Sequence, residues 1–192
     1  MNKKITREEL ELAYECGHKN FSNLDLSSLD LNYINLSCAD LSYADLNNVN
    51  LKDANLSYAN LSCAYLKNAN LKKIDLSCAN LYNANLFQAN LYKAFLYNAN
   101  LQNANLQNAN LKYANLSYAD LKWADLFQIN LSNTILYNAN LECANLTNAD
   151  LFGANLEASD LTNANFKNAN LICASLKSAD LTNAKFENAK FK

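Results

Sequence analysis

A period of five residues runs through this chain without a slip: every fifth residue from 21 to 191 is Leu or, in a few repeats, Phe. Two residues before most of them stands a small apolar residue. It is usually Ala, as at Ala39, Ala44, Ala54 and Ala59, with Leu24, Leu29, Ile34, Val49, Ile74 and Ile129 as larger variants. Asn or Asp fills the position between in most repeats, and two variable residues complete the unit. A period of five matches neither the 3.6 of a helix nor the 2 of a long strand, and wound as a helix it would spread the leucines around every face. That excludes an ordinary helical solenoid. Over three extended residues, however, Ala and Leu point to one side and Asn to the other. Each repeat therefore reads as a short side followed by a corner whose two variable residues face solvent. Self-similarity at a fixed period is the signature of a solenoid, in which each unit buries its apolar face only by stacking on its neighbours. A tract such as NANLQNANLQNANLKYANL (98–116) would by composition suggest disorder. Two inward anchors in every repeat supply a cooperative core instead.

Composition agrees. Of 192 residues, 51% are hydrophobic and 18% charged, and the net charge of -2 is that of a globular chain. Gly occurs only at Gly17 and Gly153 and Pro not at all, so the many turns require some other chemistry. No apolar run reaches the length of a signal or a membrane span, which predicts a soluble, cytoplasmic protein without membrane contact. Charges of both signs are dispersed along the chain, no basic stripe is visible, and no direct nucleic-acid binding is expected.

The units ANLQN, ADLSY and ANLTN follow the pattern A-(N/D)-L-x-x, and on these residues the chain resembles the pentapeptide-repeat proteins over residues 21–192. The resemblance implies an all-β fold, a right-handed quadrilateral parallel β-helix with four pentapeptides per coil. On that model about eight and a half coils, at ~4.8 Å each, make a rod of about 40 Å. One internal feature supports twenty residues per coil. The segments beginning at Ser37, Ser57, Ser77, Tyr97, Ser117 and Tyr137 are alike and fall on one face. Asn50, Asn70, Asn90, Asn110 and Asn130 would then form a column, each amide meeting its neighbour or the local backbone.

Residues 1–20 depart from the repeat and form a separate capping segment, with residues 21–192 as a single β-helix domain. Thr6 with Glu9 has the pattern of a capping box, Leu10, Ala13 and Tyr14 follow at helical spacing, and Gly17 reads as a stop. A short helix is expected over the first coil, with Leu24, Leu29 and Ile34 beneath it. At the other end Phe186 and Phe191 replace Leu, and Lys185 and Lys190 replace Asn. An uncovered last coil is either blunted by these lysines or paired end to end through Phe186 and Phe191, and the family resemblance implies that a homodimer would form through this end.

Little in the chain suggests catalysis. Cys38, Cys63, Cys78, Cys143 and Cys173 all hold the last variable position, no two of them one coil apart, so free thiols are expected. His18 beside Cys16 offers two ligands, too few for zinc. Asp40 with Asp45 and Asp120 with Asp125 read as hydrating surface carboxylates. No cofactor, metal or enzymatic activity is expected. The candidate partner face carries Tyr58, Phe95, Tyr97, Tyr118, Ile135 and Tyr137, with Phe95 and Ile135 standing where Asn or Asp is usual. The favoured reading is a non-catalytic scaffold for an unidentified protein partner. The alternative drawn from the resemblance is a DNA mimic that binds DNA gyrase. A metal or catalytic site at Cys16 and His18 stands third.

Overall fold

Three residues of each repeat are extended, and the two that follow turn the chain, which decides the whole architecture. The structure, a computed structural model, describes residues 5–192. From residue 20 to residue 190 one residue in every five forms a parallel β-bridge with the residue twenty positions away. One coil is therefore four repeats, and each coil lies directly on the next. Among the described residues these bridges stay isolated, because a turn interrupts the extended backbone after three residues.

The turn chemistry missing from the composition lies in the last variable residue. At every repeat from Asn23 to Asn188 it has φ between 53° and 64°, the left-handed region, and only Gly153 among these is glycine. After the first turn, a hydrogen bond from the inward small residue's amide back to the Leu or Phe carbonyl closes every turn, as Ala59 N to Leu56 O at 3.1 Å. A positive φ at the third turn residue is the geometry of a type II turn, which favours Gly or Asn. Asn is the commonest residue here, and Val, Ile and Thr never occur, because a β-branched side chain is strained at positive φ. Gly153 has a second reason: a Cβ there would lie 2.7 Å from Asn133 Oδ1.

Backbone amides account for themselves almost completely. In the repeat beginning at Asn55, the Asn55 amide donates to Ile34 O at 2.9 Å, Leu56 to Asp75 O at 2.8 Å and Tyr58 to Ser77 O at 2.9 Å. Ala59 closes the turn, which leaves the first variable residue, Ser57, with no backbone acceptor. Its amide donates to the Asn55 side chain, Oδ1, at 3.0 Å. This Asx arrangement recurs along the chain and explains why Asn or Asp precedes the Leu.

Inside, the Leu and Ala side chains are almost wholly buried from coil to coil as far as Leu171, and the last coil is open, with Leu181 exposed. Two polar variants are satisfied in the buried core, Thr134 Oγ1 by Leu111 O at 3.0 Å and Ser159 Oγ by Leu156 O at 2.7 Å. The expected asparagine column is only partly linked. Asn70 donates to Asn50 Oδ1 at 2.8 Å and Asn110 to Asn90 Oδ1 at 3.4 Å, but Asn70 Oδ1 is buried without a partner. Most of these side chains are held by their own turn, as Asn90 Oδ1 is by the Tyr92 amide, whereas Asn70 bonds only along the column.

Helix α1, Arg7–Glu15, covers the first coil as expected. Thr6 and Glu9 form the reciprocal capping box, and Gly17 at φ 89° ends the helix, its amide bonding Tyr14 O while His18 N bonds Ala13 O. Leu10 is fully buried, Tyr14 stacks on Phe21 and donates to Ser37 O at 2.9 Å, and Arg7 reaches Asp30 O and Asn32. Beneath it Ile34 is buried, while Leu24 and Leu29 are half-buried against the core.

Replacing Asn108, at φ 58°, with Val is expected to lower stability by about 1–2 kcal/mol through left-handed strain. Asn108→Gly should cost less. Chemical denaturation of the two variants checks this, and equal losses would contradict the account of the turns.

Candidate functional site

The bridge series Asp75, Phe95, Asn115, Ile135 stacks Phe95 and Ile135 in one column, two coils apart with Asn115 between them. In the turns that follow, Tyr97 and Tyr137 hold the first variable position and Tyr118 the second. Their rings meet edge to face, Tyr97 with Tyr118 at 5.5 Å and Tyr118 with Tyr137 at 5.7 Å. All five side chains are between 39% and 52% exposed. Mutual packing thus fixes the tyrosine rings without covering them. Tyr58 occupies the Tyr118 column but makes no ring contact with this group. The Cys78 thiol, one coil along, raises the phenol pKa of Tyr58 above its usual value.

Phe95 and Ile135 also break the Asx arrangement. The amides two residues on, Tyr97 and Tyr137, have no side-chain acceptor, whereas Asn115 between them accepts from both Ser117 N and Ser117 Oγ. At Tyr65, the other aromatic in an Asn position, the loss is made good: Lys67 N donates to Asn47 Oδ1 of the neighbouring coil at 2.9 Å. No such replacement reaches Tyr97 or Tyr137 among the described residues. Two backbone donors, Tyr97 N and Tyr137 N, are therefore without an acceptor beside Phe95 and Ile135.

The remaining predicted residues lie elsewhere. Phe186 is half-buried, stacked on Phe166 at 5.0 Å and in contact with Phe191, which is half exposed. Cys16 and His18 are exposed where α1 meets the first coil, and no group of three metal-binding side chains assembles among the described residues. All six cysteines are unpaired. The paired carboxylates do more than hydrate the surface. Asp40 and Asp45 accept turn amides, and Asp120 and Asp125 accept both turn amides and the side chains of Gln102 and Gln107.

One feature escaped the sequence reading altogether. Lysines dispersed along the chain are not dispersed in space. The twenty-residue coil brings Lys52, Lys72 and Lys112 into one column and Lys73 and Lys93 into the next, so a basic stripe exists where none was expected. Sorting residues by their remainder at a period of twenty would have found it.

Comparison with known proteins bears on the whole chain. The family model described as pentapeptide repeats matches in eight copies, in overlapping segments between residues 34 and 188. The crystal structure of HetL, described as a pentapeptide repeat protein involved in heterocyst differentiation regulation in the cyanobacterium Nostoc sp. strain PCC 7120, is similar at 34% identity. It covers 96% of each chain with a TM-score of 0.70. Full-length QnrB1, described as a plasmid-mediated fluoroquinolone resistance protein, is 20% identical over 99% of this chain and 89% of its own, TM-score 0.72, a likeness of fold. No curated protein matches the chain.

Phe95→Asn and Ile135→Asn are each expected to stabilise the protein by about 0.5–1.5 kcal/mol, because the new side chain accepts the Tyr97 or Tyr137 amide. Asn115→Leu should do the reverse by stripping the acceptor from Ser117 N. Denaturation midpoints of the three variants test this together, and a loss of stability in Phe95→Asn would sink it.

Proposed function

This chain belongs to the pentapeptide-repeat family, and on that premise we propose that it is a non-catalytic protein-binding scaffold whose docking surface is the face of Phe95, Tyr97, Tyr118, Ile135 and Tyr137, flanked by Tyr58. One observation carries the reading. At Phe95 and Ile135 the chain gives up a hydrogen-bond acceptor that its own turns use and sets an exposed apolar side chain in its place. Folding gains nothing evident from that exchange, whereas a partner that covers the side chains would. HetL, at 34% identity, is described as taking part in regulation, which favours an interaction role over catalysis.

With this role we assign the organisation that the family likeness supports: residues 1–20 as a cap on a single right-handed, four-sided β-helix of residues 21–192. Unpaired cysteines fit the reducing cytoplasm as its location, and no helix among the described residues is long and apolar enough to cross a membrane. Phe186 and Phe191, with apolar surface open on the last coil, are the contact we assign to a homodimer. The reading as a gyrase-binding DNA mimic has less support, because a duplex-like surface needs a strong acidic field and here Asn outnumbers Asp in the outer columns while lysines gather on one face.

The test is capture from a lysate of the source organism with wild type and with Phe95→Asn plus Ile135→Asn, a pair that restores the common repeat residue and leaves the core alone. A protein retained by wild type and lost with the pair is the expected outcome. Identical catches from both would remove this face as the docking surface.

A further inference from the structure

The lysine stripe adjoins the aromatic face at Phe95. In its turns between residues 52 and 113, five lysines stand against a single acidic residue, Asp53, which pairs with Lys52 at 3.6 Å. Lys72, Lys73, Lys93 and Lys112 form no ion pair among the described residues, so the stripe is positive in a chain whose net charge is -2. Tyr92 and Tyr113 lie within it, their rings perpendicular at 5.8 Å. Lys93 Nζ sits 5.4 Å from the Tyr92 ring and Lys112 Nζ 5.1 Å from the Tyr113 ring. A groove lined by Tyr92, Lys93, Tyr113 and Asn115 runs from these residues to Phe95, and a second, lined by Lys52, Lys72, Lys73 and Tyr92, continues it along the stripe.

We propose that this groove binds an extended acidic segment of a partner polypeptide, with carboxylates on the lysines and one apolar side chain seated among Tyr92, Tyr113 and Phe95. Charge complementarity selects an anionic ligand. The groove's chemistry then selects polypeptide over single-stranded nucleic acid. Nucleobase binding relies on open aromatic faces, and these two rings stand edge to face with an ammonium near each. Arg7, the chain's only arginine, reaches Asn32 at the head of the Lys52 column, but its guanidinium is already taken up by Glu11, Asp30 O and Asn32, so no free bidentate guanidinium is available for phosphate. Moreover, a ligand that reaches from the lysines to Phe95 needs acidic and apolar groups on one backbone. The inference rests on the protein-binding reading above and adds the chemistry of the partner.

The probe is a fluorescein-labelled peptide of about eight residues, Asp and Glu around one central Phe, which when extended at ~3.3 Å per residue spans four coils of ~4.8 Å. Its binding to the full chain is followed by fluorescence anisotropy. Comparison ligands are the same peptide with Lys for each acid and an oligothymidylate of equal length. Only the acidic peptide should bind, with affinity that falls as salt rises. Lys72→Gln, Lys73→Asn and Lys93→Asn combined should weaken it at least ~10-fold. Asn is chosen at 73 and 93 because both residues have φ near 57°, and thermal unfolding confirms that the variant is folded. Lys112→Gln alone, with a smaller loss in the same direction, provides a second reading should the triple variant unfold. No binding of the acidic peptide, or equal binding by the triple variant, overturns the proposal. Tighter binding of the oligothymidylate that is lost in the same variant overturns it in favour of nucleic acid. A peptide lost with Phe95→Asn plus Ile135→Asn but kept by the lysine variants removes the lysine groove and leaves the scaffold reading in place.

Discussion

One backbone amide in every five has no carbonyl to bond, and the rest of the structure depends on how that amide is satisfied. Stacking supplies acceptors for the Leu, the last variable and the bridging residues, and the turn supplies one for the small residue. The first variable residue is left over, and an unpaired amide in a partly buried turn is costly. Asn or Asp two positions earlier provides the missing oxygen. The repeat is thus a hydrogen-bonding unit as much as a hydrophobic one, which is why a chain so rich in asparagine folds.

Stacking in turn converts sequence into surface columns. Because each coil lies on the one twenty residues away, the outward positions are free of core constraints and residues far apart in the chain become neighbours. The apolar column at Phe95 and Ile135 and the lysine stripe beside it arise in this way. The core keeps the same inward pattern of Leu and a mostly small residue at nearly every level, so the two faces differ in chemistry without any difference in fold.

Much of this was legible in the residues themselves. The leucine register, the capping box of Thr6 and Glu9, the stop at Gly17 and the shared face of Phe95, Tyr97, Tyr118, Ile135 and Tyr137 all follow from local pattern or from a period of twenty. The function of Asn was read incompletely. A column of mutually bonded amides was expected, and although some links form, the dominant partner is the turn amide two residues on. That bond depends on left-handed residues such as Asn103 and Tyr118, and a turn at positive φ without glycine leaves only a faint trace in sequence, the absence of Val, Ile and Thr from one position.

By itself the sequence determined the repeat unit, its inward residues, the solenoid and the helix at its start, because these depend on contacts within a few residues and on a period that can be counted. Tertiary structure alone decided which amides lack an acceptor, which rings touch and where the lysines gather. Those outcomes depend on the register between coils and on side-chain direction at each turn. Lys52, Lys73, Lys93 and Lys112 are spread over some sixty residues of chain and share one face only once four repeats close each coil.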